Sequence, residues 1–120
     1  MLFEKAKLIE YKAPEPFTRY ATIFFDNVTI PNAHMSIGYF RFEPGQIGPK
    51  HVHEEEVEVY YCLKGEGSVT IEGEVYILKP NSALYIPPKA YHETKNIGDE
   101  DFEFLGIFAP AINMDNMRNW

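Results

Sequence analysis

Short runs of β-branched and aromatic residues recur along this chain, each closed off by residues that favour turns. The runs are Tyr20–Val28, Met35–Phe42, Val57–Leu63, Ser68–Ile71, Val75–Leu78, Ala83–Ile86 and Phe102–Phe108. Between them stand Pro31-Asn32, Pro44-Gly45, Gly48-Pro49, Gly65-Glu66-Gly67, Glu72-Gly73, Pro80-Asn81, Pro87-Pro88 and Gly98. Short strands at regular spacing with turn signals between them predict an all-β sandwich or barrel. The middle of the chain carries no helical period. Gly65-Glu66-Gly67 and Glu72-Gly73 fall where two hairpins would turn, and glycine suits a tight turn that needs positive φ.

This patterning covers residues 35–108 and predicts one domain over residues 1–120. Residues 1–34 form an N-terminal segment whose first sixteen residues either wander over the surface or add an edge strand. In the tail, 109–120, Met114, Met117 and Trp120 lie three apart, which fits one or two turns of amphipathic helix. Such a tail covers part of the core, or serves as a lid or a subunit contact.

Alternation also sorts the residues that can carry chemistry. Side chains two apart on a strand share a face, so His51 and His53 point one way and Val52 the other. Two imidazoles on one face make half of a first-row metal site. Glu58 lies an odd five positions past His53, which puts it on the wrong face of a continuous strand. A turn or bulge at Glu54-Glu55-Glu56 repairs the parity, and three like charges suit an exposed connection. Glu58 then shares its face with Tyr60 and Cys62. Further on, Pro87-Pro88 ends a strand and another begins near Ala90, with His92, Thr94 and Asn96 on one face and Glu93 and Lys95 on the other. His92 supplies a third imidazole only if its strand lies beside the first pair, an adjacency that spacing alone leaves open. A shifted register would offer Glu54 or Glu56 in place of Glu58. His34 has no motif partner and reads as structural or exposed. Asn96 reads as a tie for backbone near the strand end, and Cys62 as core packing.

These two stretches resemble the paired motifs of the cupin superfamily. The first motif runs Gly, five residues, His-x-His, three or four residues, Glu, six residues, Gly, and Gly45, His51, His53, Glu58 and Gly65 meet every position. Of the second, Pro87, His92 and Asn96 match, while Asn81 and Lys89 replace its two glycines. Asn81 is a mild departure, because Asn tolerates positive φ. Lys89 suggests a slightly different turn. The resemblance implies a double-stranded β-helix, the jelly-roll barrel of cupins, with His51, His53, Glu58 and His92 as ligands of one divalent transition metal ion. Iron, manganese, zinc, nickel, copper and cobalt all suit three imidazoles and a carboxylate.

Charge and composition narrow the partners. Eighteen acidic residues against eleven basic give a net charge of −7, which disfavours a phosphate backbone, so no nucleic acid is expected. No run approaches the apolar length of a membrane span, and the N-terminus lacks a signal-peptide core. The lone Cys62 suits a reducing compartment. These features predict a soluble cytoplasmic protein. The resemblance implies a metal-dependent cupin acting on a small polar or anionic molecule by dioxygenase, isomerase or lyase chemistry, with Tyr60 and Thr94 orienting the substrate and no general base identifiable. The alternative is a non-catalytic small-molecule binding or sensor cupin. Aromatics on both faces of Met35–Phe42 (Tyr39 and Arg41 against Phe40 and Phe42) point to a homodimer, with one face meeting a second subunit.

Overall fold

In the computed structural model, which describes all 120 residues, the alternating runs become nine strands. In chain order these are β1 Glu10–Lys12, β2 Tyr20–Phe25, β3 Ser36–Phe42, β4 Val57–Lys64, β5 Gly67–Ile71, β6 Glu74–Leu78, β7 Ala83–Ile86, β8 His92–Asn96 and β9 Phe102–Ala109. They build two antiparallel sheets, one ordered β1-β2-β3-β9-β4-β7 and the other β6-β5-β8. Period-two burial fits this closely: β3 and β9 bury every second residue along their length, the mark of strands with one face on a core.

The inner faces meet in a core dominated by rings. Phe40, Phe42, Phe102, Phe104, Phe108 and Tyr60 are all buried, with Phe102 and Phe104 rings 4.9 Å apart and Tyr60 and Phe104 rings 4.3 Å apart. Each buried Phe contributes roughly 1.5–3 kcal/mol, so these rings dominate the apolar drive to fold. Cys62 lies fully buried among them, as packing predicts.

Three features differ from the sequence expectation or settle it. The sheets do not close into a continuous barrel. Residues 43–56 leave β3 and run beside β8 without a named strand, held by two isolated bridges, Ile47 with Lys95 and His51 with His92, and the backbone bonds that flank them, such as Gly48 N–H to the Thr94 carbonyl at 2.8 Å. Pro44 and Pro49, which have no N–H to donate, and the glycines beside them keep this segment from joining a ladder. The first residues do add an edge strand, β1, and the run from Tyr20 stops at Phe25 instead of Val28. There the Asp26 carboxylate accepts the N–H groups of Val28 and Thr29 and turns the chain. Finally, Lys89 adopts φ 67° and Asn81 φ 69°, so the turn before β8 keeps the left-handed residue that a glycine would supply, in place of the different turn expected at Lys89.

The tail forms a single helical turn, α1 Asp115–Arg118, and covers the core with a fully buried Met114. The outer face of β3 is covered by the chain's own N-terminal residues. Lys5 sits over the Tyr39 ring, and Arg41 pairs with Glu10. The apolar surface left open lies instead on the three-stranded sheet and its borders, where Val75, Ile77, Ile47 and Ile97 are exposed.

Candidate metal centre

Four side chains from three parts of the fold converge between the sheets. Glu58 stands one residue into β4 and faces inward with Tyr60 and Cys62, because residues 54 and 55 bend and reset the alternation. His92 opens β8. His51 is held to it by a reciprocal backbone pair, each N–H donating to the other's carbonyl at 2.9 Å. His53 follows on the same crossing segment, where the Lys89 N–H donates to its carbonyl at 2.7 Å. One ligand atom from each of His51, His53, Glu58 and His92 lies within 4.8 Å of the others. The adjacency that spacing left open is therefore present. Residues 51–53 are not a regular strand, however, and Val52, placed opposite by alternation, also borders the cavity. Glu54 and Glu55 are exposed and, like Glu56, stand outside the cluster, as does the exposed His34.

Hydrogen bonding fixes which nitrogens face inward. His51 Nδ1 donates to the Pro49 carbonyl at 2.9 Å, and His92 Nδ1 donates to the Ala90 carbonyl at 3.0 Å. A carbonyl oxygen only accepts, so each Nδ1 carries a proton and turns its ring's Nε2 to the cluster, where a neutral ring presents a lone pair and a charged one an N–H. His92 Nε2 lies 3.1 Å from Glu58 Oε1. His53 Nε2 lies 3.4 Å from the same oxygen without the geometry of a hydrogen bond, and it is a buried nitrogen with no partner. Buried polar atoms are nearly always satisfied, so an orphaned imidazole nitrogen aimed at a carboxylate and two other rings fits a cation that would accept all four.

The charges agree with that fit. Burial would raise the Glu58 carboxyl, but the His53 and His92 imidazoles beside it hold it below its usual value, so a 3% exposed carboxylate is ionised. Burial and the neighbouring His92 push the His51 imidazole down, which keeps it neutral and able to ligate. Burial would lower His92 too, but Glu58 holds it above its usual value.

The cluster opens into a cavity of about 310 Å³. Tyr60 and Thr94 both line it, their hydroxyl oxygens 3.3 Å apart. Burial, then the Glu58 charge, holds the Tyr60 phenol well above its usual value, so it is a hydrogen-bond donor at neutral pH. Asn96, expected as a tie, donates to the Phe42 and Glu100 carbonyls at 2.8 Å each and lies outside the cavity wall. Eight wall residues lie outside both motifs: the core rings Phe40, Phe42, Phe104 and Phe108, and, away from that core, Arg19, Asn116, Met117 and Trp120. The tail residues carried a signal in their spacing of three. Arg19 carried one as well, since it shares parity with the inward Ala21 and Ile23 of β2.

With fold and site in place, the family follows. Residues 38–108 match the family model described as the cupin domain, and the chain belongs to that family. Among curated proteins it is 37% identical over 85 residues to the glucose-6-phosphate isomerase of Pyrococcus furiosus, a match covering 60% of this chain and 45% of the isomerase. It is 38% identical over 66 residues to an uncharacterized protein of Methanocaldococcus jannaschii, covering 55% of this chain and 53% of that one. The chain thus spans about half the length of the curated relatives it matches. Two solved structures share its double-stranded β-helix fold. One, from Thermotoga maritima and described as a predicted oxalate decarboxylase, has a TM-score of 0.83 at 21% identity, over 92% of this chain and 99% of that one. The other, KdgF from Halomonas sp., has a TM-score of 0.79 at 22% identity and 97% coverage of both chains.

Proposed function

We propose that this chain is a metal-dependent cupin acting on a small polar or anionic molecule, with one divalent transition metal held by His51, His53, Glu58 and His92. The observation that carries this reading is the unpartnered, buried Nε2 of His53, set beside two rings whose Nδ1 hydrogen bonds turn their Nε2 atoms toward the same point. Iron, manganese, zinc, nickel, copper and cobalt all suit the donor set. Such an ion would polarise a bound carbonyl or carboxylate, or support oxidation, and would leave positions open beside the four protein ligands.

The protein's own residues do the rest. The aromatic walls exclude water, and Tyr60 donates a hydrogen bond to a substrate oxygen, with Thr94 holding the phenol in place. Isomerase, lyase and dioxygenase chemistry all fit this frame, and the isomerase among the relatives and the decarboxylase description among the structural neighbours support it. Elemental analysis of protein purified without added metal tests the site. Isomerase, decarboxylase and oxygen-uptake assays on the loaded protein then separate the reactions. Metal-free protein from cells grown with all six metals would sink the reading.

One observation favours a non-catalytic binding or sensor role instead. Glu58 is the only carboxylate on the cavity wall, so no second acid stands ready as a general base. Tight ligand binding with no turnover in any of those assays would select that role. We further propose a homodimer formed through the exposed face of the three-stranded sheet, which light scattering in solution tests. A cytoplasmic setting agrees with the free thiol of Cys62.

A further inference from the structure

The chain has three arginines, and two of them are fully engaged with acids. Arg41 pairs with Glu10, Asp101 and Glu43, and Arg118 with Asp26 and Asp115. Arg19 has no carboxylate within 4 Å, although acidic residues outnumber basic ones by eighteen to eleven. It is half-buried on the cavity wall that also carries the histidine–glutamate cluster. Of its five N–H donors only one is used within the protein, donated from Nη1 to the Phe17 carbonyl at 2.7 Å. The guanidinium is placed by the Trp120 ring, 4.8 Å from its carbon, and burial pulls its pKa below the usual value. Charged groups taken out of water are ordinarily paired, because an unpaired one gives up its hydration with nothing in return. A planar fork with free donors, steadied by an aromatic ring and lacking a counter-ion, matches the bidentate geometry of an oxyanion.

We infer that Arg19 binds the anionic group of the molecule this cavity takes, which makes the substrate a small oxyanion-bearing compound, a carboxylate or a phosphate ester. This rests on the reading of the cavity as a ligand site, with the metal end and the Arg19 end of one pocket holding different parts of the same molecule. The volume of about 310 Å³ is at the small end for ligand pockets and suits a compound of monosaccharide size. The Phe and Trp walls give its body an apolar or ring-stacking surface. The net charge of −7 disfavours small anions, and the bonds Arg19 offers offset that repulsion inside the cavity.

Calorimetric titration of the protein as purified tests this. Glucuronate, mandelate and glucose 6-phosphate serve as anions, with glucose and mandelamide as neutral counterparts. At least one anion should bind more tightly than its counterpart by roughly tenfold or more, the worth of hydrogen bonds to a charged group. In Arg19→Gln that preference should vanish while metal content and melting temperature stay as in the parent. In Arg19→Lys, which keeps the charge without the fork, part of it should remain and keep the test open if the Gln variant fails to fold. Whether the preference falls on the carboxylates or on the phosphate ester decides between the two chemistries. Equal binding of anions and neutral compounds, no binding by any of them, or an undiminished preference in folded Arg19→Gln would overturn the assignment. Metal content is measured on the same samples, so a parent protein that prefers anions but holds no metal would discard the metal reading and leave Arg19 standing.

Discussion

His53 is where a single side chain decides most. Replacing it with Ala removes one of four donors and the orphaned nitrogen together. Metal content of the purified protein should fall by at least about tenfold, since even outer partners of metal ligands are commonly worth 10–100-fold. Mass-spectrometric metal analysis reads this directly, and unchanged occupancy would falsify the ligand assignment. Tyr60→Phe should leave the metal in place, cost about 1 kcal/mol of stability for the lost Thr94 contact, and weaken ligand binding. At this scale the sequence was readable because the donors lie at motif spacings and His51 and His53 are two apart. The rest was hidden in tertiary contacts. Nothing in the linear order shows that the Ala90 and Pro49 carbonyls set the two imidazole tautomers, or that Val52 would border the cavity. Arg19 needed only its strand parity to be carried two residues before Ala21.

Among the elements, β5 shows how a glycine chosen for one reason serves another. Gly65 and Gly67 mark a hairpin in the sequence, and Gly65 does adopt φ 75°. Gly67, by contrast, has no positive φ to justify it. A Cβ there would collide with the Phe102 ring, which is fully buried between the sheets. Gly67→Ala should therefore destabilise the fold by about 1–3 kcal/mol through overpacking, with β5 and β8 pushed away from β9. Chemical denaturation measures it. A variant as stable as the parent would mean that Phe102 moves freely aside. The strands themselves were legible because most have one buried face, with β3, β4, β5, β7, β8 and β9 alternating where β2 and β6 do not. The failure of the barrel to close was not, since it depends on where residues 43–56 cross between sheets and find partners.

Across the whole molecule, the tail is fastened by one fully buried acid. Asp26 takes Arg118 Nη1 and Nη2 at 2.9 Å each and the Met114 N–H at 2.8 Å, joining the end of β2 to α1. Burial would raise this carboxyl, but Arg118 and the Met114 and Thr29 N–H groups hold it far below the usual carboxylate range. A carboxyl with a depressed folded pKa stabilises fully above its unfolded value, near pH 4, and the contribution is lost as pH falls further. Melting temperature should therefore drop on acidification below about pH 4 more steeply in the parent than in Asp26→Asn. At neutral pH the Asn variant should be less stable by about 3 kcal/mol, the cost of removing one partner of a buried pair. Equal acid sensitivity of the two proteins would assign the clamp no part in it. The sequence announced the tail by its methionine and tryptophan spacing, but the acid that ties it lies 88 residues from Met114.

The four candidate ligands do not belong to one sheet. Glu58 comes from the six-stranded sheet, His92 from the three-stranded one, and His51 and His53 from the crossing segment that joins them by isolated bridges. An ion seated there would act as a rivet through a seam held by irregular backbone pairing in place of a continuous ladder, so occupancy and mechanical integrity become one property. Stripping it with a chelator should lower the unfolding temperature and loosen amide protection first at β8, and a hundredfold excess of metal over its dissociation constant should restore about 2.7 kcal/mol.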